Sequence, residues 1–277
     1  MDATDVLTGA TAAVKELADQ LADVIGSLPQ TELPIPGDEW TVQEACAHLI
    51  VVASLYQEFV AGRPSPVRLP GDSPAFDGAR YREVQAAYSA QWNAGVVEKD
   101  PATLARRLRE EAARLVDATS ATSADQPVSF HCGTPTNVAG LICVYLGELL
   151  VHGYDLARVA GRPWPIDPGH AALTLYGYGP CMPMIVNRET TRGHSAAYGI
   201  ELRGVGDMVI RFDDGEYGLE EAGSVPVDCT ISADPVAWLL MASGRLDLWP
   251  AVALGLISFG GEHPELGVGF KDLFIFP

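Results

Sequence analysis

The apolar pattern of this chain changes once, and that change constrains the fold more than any other feature. Up to Ala160, apolar residues recur at helical spacing. Beyond Pro168, short alternating runs become the dominant pattern. Between them lies Gly161–Pro168, GRPWPIDP, with three prolines in its last six residues, a composition suited to a linker. The expectation is a helical unit over residues 1–165 and a mixed α+β unit over residues 166–277.

The first part reads as five helices. Asp5–Leu28 carries Val6, Val14, Leu17, Leu21, Val24 and Leu28 on one stripe. A loop over Gln30–Asp38 leads to a second helix from Trp40-Thr41 to about Ala61. Thr41 and Glu44 have the spacing of a capping box there. Arg63–Gly78, rich in Pro and Gly, reads as a loop. A third helix is expected over Ala79–Val97, and a fourth over Pro101–Ser120 with Asp100 as its N-cap. Val128–Cys132 suits a short strand or an extended loop. Thr136–Ala160 is the fifth helix, ending at Gly161.

In the second part, His170–Val186 is apolar and helical in character, interrupted by Pro180 and Pro183. Alternating runs follow at Ala197–Leu202, Met208–Phe212, Tyr217–Glu220 and Val227–Ser232. Asp213-Asp214-Gly215 is a hairpin signal between two of them. Asp234-Pro235 caps a short helix through Ala242, and the tail from Gly244 mixes helix and loop.

Composition narrows the function. The net charge of −18 opposes binding to nucleic acid or to an anionic membrane, both of which need a basic surface. No uninterrupted apolar run approaches the ~20 residues that span a bilayer, and the first residues lack the basic start and apolar core of a signal peptide. The five cysteines, at positions 46, 132, 143, 181 and 229, form no C-x-x-C pair. A disulfide framework and a cysteine–zinc cage are therefore unexpected, and a reducing, cytoplasmic location is expected.

On the fifth helix, Glu148 and His152 stand four residues apart and share a face with Val138, Leu141 and Tyr145. A buried carboxylate there needs a partner. A divalent metal held by both side chains meets that need, and so does pairing between the two residues or a core histidine satisfied elsewhere. His48 lies on the stripe of the second helix with Ala45, Val52 and Phe59, so it also faces inward. Two histidines and a carboxylate leave coordination positions open, as catalytic zinc sites do. His131, beside Cys132 in a loop, reads as a surface residue, as do His170, His194 and His263. Cys46 points away from the His48 stripe and reads as a small core residue.

These residues also carry a resemblance. Pro36-Gly37, Trp40-Thr41-Val42 and His48-Leu49, followed later by Glu148 and His152-Gly153-Tyr154-Asp155-Leu156-Ala157, are similar to the metal motifs of the DinB-like helical bundles. The similarity is closest to the mycothiol-dependent maleylpyruvate isomerase family. There a DinB-like four-helix bundle precedes a small α+β domain, with an antiparallel sheet, like that of sterol carrier proteins. Asp228–Ala233, Asp234-Pro235, Gly244-Arg245-Leu246 and Gly260-Gly261 fit that second part.

The resemblance implies a divalent metal, usually zinc, held by His48, Glu148 and His152, with mycothiol as cosubstrate. It implies an isomerase or thiol S-transferase acting on a small-molecule electrophile. A free thiol, with pKa near ~8.5, is largely protonated at neutral pH, and coordination to a dication yields the attacking thiolate. Arg80, Arg82 and Arg245 are candidates for an anionic substrate, with Arg82 and Arg245 as the catalytic pair to test. Asp155 orients a metal ligand, or is a helix-surface aspartate, or pairs with nearby Arg158. Two other functions fit the same residues: a metal hydrolase of a thiol conjugate or amide, and a non-catalytic ligand-binding module.

Overall fold

The computed structural model describes residues 2–37, 39–69 and 77–276. Residues 70–76 of the loop expected over Arg63–Gly78, and Asp38 of the loop expected over Gln30–Asp38, lie outside the described residues. The chain forms two compact units. One comprises Met1–Arg68 and Val84–Pro180; the other comprises Leu69–Glu83 and Cys181–Pro277.

The first unit is helical. Helix α1 (Ala3–Gly26) buries Val6, Ala10, Val14, Leu17, Leu21 and Val24, one residue per turn along a single stripe. Helix α2 (Val42–Val60) opens with the expected capping box: Thr41 N–H donates to Glu44 Oε2 (2.8 Å), and Glu44 N–H donates to Thr41 Oγ1 (3.3 Å). Helix α3 (Gly78–Asn93) stops earlier than its expected end at Val97, because the chain turns at Ala94–Val96, where Gly95 N–H donates to Trp92 O (3.0 Å). Helix α4 (Pro101–Ser120) starts on the Asp100 cap, whose Oδ2 accepts from Thr103 N–H at 2.8 Å.

Helix α5 (Val138–Val159) is the axis of this unit. Together α1, α2, α4 and α5 form the four-helix bundle, with both α1 and α2 packed on α4 and α5. Among the described residues α5 alone is long and apolar enough to cross a bilayer, although Glu148, His152 and Asp155 break its apolar run. Its most apolar stretch is 83% buried inside the protein.

Helix α6 (Pro168–Tyr178) packs on α5 and α1. Its approach to α5 is so close that a Cβ at Gly177 would lie 2.7 Å from Gly140 O and 2.7 Å from Val144 N. Preceding α5, the short strands β1 (Pro127–Ser129) and β2 (Pro135–Asn137) form an antiparallel hairpin around a 3-10 turn at His131–Gly133.

The second unit holds a five-stranded sheet of order β5-β4-β3-β6-β7: β3 (Ala196–Leu202), β4 (Gly206–Asp213), β5 (Glu216–Glu221), β6 (Cys229–Ala233) and β7 (Ile257–Gly260). The β4–β5 turn uses Asp214 (φ 51°) and Gly215 (φ 86°), the left-handed pair that a tight hairpin requires. Three pairings are antiparallel and β3–β6 is parallel, because the chain leaves β5 and returns to the open edge of β3. Strand β7 arises from the tail that the sequence suggested was helix and loop. Helices α7 (Pro235–Ala242) and α8 (Leu248–Ala253) complete the unit, with α7 capped by Asp234. Tyr198, Phe212, Trp238, Phe270 and Phe274 form a linked ring cluster in its core, with Tyr198 and Phe270 4.9 Å apart.

Candidate metal centre

Helices α2 and α5 bring three side chains together within the first unit. Glu148 Oε2 lies 3.1 Å from His48 Nε2 and 3.4 Å from His152 Nε2. The i,i+4 spacing on α5 sets the second contact, while the crossing of two helices sets the first. One ligand atom from each residue can be chosen so that all three lie within 4.8 Å of one another. Two imidazoles and a carboxylate converging this closely suit a single divalent ion.

Electrostatics agree with a charged carboxylate at the centre. Burial opposes ionisation of Glu148, but hydrogen bonds from His152 and His48 outweigh it and hold the carboxyl well below its usual range. His152 Nδ1 is buried without a hydrogen-bond partner. The nearest carboxylate is that of Asp155, whose Oδ2 is 3.8 Å away, beyond hydrogen-bond length. Asp155 is buried, which corrects the surface reading of that residue, and Arg158 lies over the Tyr154 ring, 5.6 Å from its centroid.

Trp40, read from the sequence only as part of a motif, adds a wall beside both histidines. Its ring lies 4.9 Å from that of His48 and 5.5 Å from that of His152, stacked on the latter at 18°. Backbone pairing holds it there: Ile35 N–H donates to Trp40 O (2.9 Å), and Val42 N–H donates to Leu33 O (2.9 Å). The signal available in sequence was an aromatic residue immediately before an N-cap.

His131 is also corrected. It is buried, with Nδ1 2.6 Å from Ser65 Oγ, and Phe130 and Phe59 pack on its ring. Burial pushes its pKa down to about 4, an effect opposed by the charge of Glu148. The pairing with Ser65 spans 66 positions, which no local pattern reveals. His194 is half-buried with Nε2 2.9 Å from Tyr198 OH, His170 is half-buried, and His263 is exposed.

Arg80 and Arg82 are exposed on α3, and Arg245 is half-buried with Nη1 donating to Ser243 O at 2.5 Å. All three arginines belong to the second unit, whereas the His–Glu–His cluster belongs to the first. Cys46, Cys143 and Cys181 are buried, which pushes each thiol up to about 12.

Comparison with known proteins agrees with this architecture. Residues 11–157 match the family described as "Mycothiol maleylpyruvate isomerase N-terminal domain", and residues 186–263 match the "SCP-2 sterol transfer family". A crystal structure of the mycothiol-dependent maleylpyruvate isomerase is similar with a TM-score of 0.52 at 16% identity, covering 94% of this chain and 93% of that one. A histidine-to-alanine mutant of that isomerase gives a TM-score of 0.48 at 14% identity, with the same coverage. Comparison with curated protein sequences gives no match. The structural likeness carries the fold, and the family match spans more than half of the sequence: this chain belongs to the mycothiol maleylpyruvate isomerase family, through its N-terminal domain, and carries an SCP-2-like domain after it.

Proposed function

We propose that the protein is a divalent-metal, mycothiol-dependent enzyme of the isomerase or thiol S-transferase type, acting on a small electrophile. The observation that carries this reading is the convergence of His48, Glu148 and His152, within a chain of this family. When bound, a divalent ion such as zinc supplies a Lewis-acidic centre that lowers the pKa of a thiol brought to it.

The chain's own residues do the rest. Glu148 presents a carboxylate that is ionised throughout the neutral range, as its lowered pKa requires. His48 and His152 hold it from two sides, so the three donors are already gathered before a ligand arrives. Asp155 is buried with Oδ2 3.8 Å from His152 Nδ1, the carboxylate placed to orient that imidazole. Trp40 covers one side of both imidazoles. Arg82 and Arg245 are proposed as the guanidinium groups that bind a carboxylate of the electrophile.

Elemental analysis of protein purified without chelator, followed by a screen of electrophiles with and without mycothiol, tests the proposal. Maleylpyruvate, the substrate named for the similar isomerase, is the first electrophile to try. The expected result is about one divalent ion per chain and conversion only when thiol is present. Equal turnover without thiol would favour a hydrolase. Absence of both metal and thiol-dependent conversion would favour a ligand-binding module.

A further inference from the structure

Helix α8, in the second unit, turns an apolar face to solvent. Residues 248–257 are all apolar or glycine. Trp249 and Ala253 stand four positions apart, as do Pro250 and Leu254, so the four share one face. All four are exposed, Trp249 by 65% and Leu254 by 72%, while Ala251 is fully buried on the inner face. A surface helix normally turns polar groups to water, and a helix that is apolar all round needs cover. The ends of this ridge carry opposite charges. Exposed Asp247 precedes the helix, and its side chain caps no N–H. At the far end Arg203, from the β3–β4 turn, donates to Gly255 O (3.2 Å) and Leu256 O (2.9 Å). Among the described residues neither Asp247 nor Arg203 is in an ion pair. We propose that a second copy of this chain docks on the ridge, with the two α8 helices antiparallel about a twofold axis.

The charges select that occupant. A twofold interface must be complementary to itself, and this ridge is, because its two ends are opposite in sign. Antiparallel packing brings Asp247 of each copy to Arg203 of the partner subunit, so an ion pair closes each end. Between them the apolar faces meet, and the small Ala253 lets the helix axes approach to about 8–10 Å. An anionic surface is a poorer occupant: the net charge of −18 opposes it, and the rim sets one anion beside its one cation. The apolar area is modest. A standard interface buries about 800 Å² on each partner, and two large side chains among small ones supply less. The like net charge of the two copies weakens association further. The dimer is therefore weak, with a Kd of about 10–100 μM. This inference stands apart from the metal and thiol reading.

Sedimentation equilibrium of the full-length protein, over about 5 to 500 μM, tests the proposal. The weight-average mass should rise from 29.5 kDa towards twice that value. Trp249→Ser combined with Leu254→Ser changes only exposed positions, so circular dichroism should be unchanged while the Kd rises at least roughly tenfold. Asp247→Lys and Arg203→Glu, each alone, should raise the Kd as well, because like charges then face each other. An equimolar mixture of these two variants should associate again as a heterodimer, since every charge meets its opposite. A chain that stays monomeric throughout overturns the proposal. A dimer that the double Ser variant leaves unchanged overturns it too, as does a mixture that associates no more tightly than its components. Monomeric protein that cosediments with neutral phosphatidylcholine vesicles, and no longer does so in the double Ser variant, would make a lipid surface the occupant instead.

Discussion

The indole of Trp40 lies over the imidazole of His152 with ring centroids 5.5 Å apart and planes 18° from parallel. His152 Nδ1 makes no hydrogen bond, so ring stacking and the contact to Glu148 are what fix this imidazole. Loss of the stack should loosen a ligand without removing it. Trp40→Ala is expected to weaken divalent-ion affinity by about 10-fold or more, the range for residues that orient a ligand, and Trp40→Phe to restore most of it. His48→Ala and His152→Ala should lose most of the ion. Chelator competition measures all four; full metal retention in both histidine variants would remove the assignment.

His131 predicts an acid-sensitive step in stability. Its pKa falls from 6.5 to about 4 on folding, because burial disfavours the charged ring. Above pH 6.5 both folded and unfolded chains carry it neutral, and its contribution is fully present. Between 6.5 and 4 the unfolded chain binds a proton that the folded chain refuses, so stability falls as pH falls. The loss is up to about 3 kcal/mol. Urea unfolding of wild type and His131→Gln at pH 7 and pH 4.5 should show a smaller pH difference in the variant. An unchanged difference would locate the acid sensitivity elsewhere.

How much of this was legible beforehand depends on the span of each interaction. The Thr41–Glu44 cap and the Asp100 cap are local, and their spacing disclosed them. Glu148 and His152 share a face for a local reason too. His48 meets them across 100 positions, and only the phase of its helix hinted at the direction it faces. Trp40, lying outside the helix it precedes, had no phase to read. His131 looked like a loop residue because Ser65, its partner, sits in a segment without periodicity. The parallel β3–β6 pairing and strand β7 depend on where the returning chain finds an open edge, which no run of residues encodes alone.

Gly177 should be intolerant of a side chain. A Cβ there meets the backbone of α5 at 2.7 Å on two atoms, and backbone cannot rotate away as a side chain can. Gly177→Ala is expected to destabilise by about 1–3 kcal/mol through overpacking. Gly26, with nothing within 4 Å of its added Cβ, is the control, and Gly26→Ala should be neutral or stabilising. Thermal denaturation compares them. Equal melting temperatures would show that α6 shifts freely over α5.

Fragments test the proposed division at residues 165 and 166. Helix α6 follows that boundary yet packs on α5, and Trp164 Nε1 donates to Leu150 O at 3.1 Å. A fragment of residues 1–162 should be strongly helical by circular dichroism. A fragment of residues 1–180 should melt higher, because it keeps the surface of α5 around Gly140 and Gly153 covered. A β-rich spectrum from the shorter fragment would contradict a helical first unit, and equal melting would assign α6 no share in its stability.

The last prediction separates an external nucleophile from an internal one. The thiols of Cys46, Cys143 and Cys181 are pushed up to about 12 by burial, and burial raises that of Cys229 as well. None of these four supplies thiolate at neutral pH. Cys132 is the half-exposed one, held in a left-handed conformation (φ 57°) beside His131. If mycothiol is the nucleophile, a variant with Cys132→Ser and the other four changed to Ala should keep mycothiol-dependent turnover within roughly twofold, provided it folds. It should show no turnover without added thiol. Lowering the pH should reduce activity through an apparent pKa below the ~8.5 of a free thiol, since protonation removes the attacking form. Abolished activity in Cys132→Ser alone, with fold and metal content intact, would place the nucleophile in the chain and overturn the external-thiol mechanism.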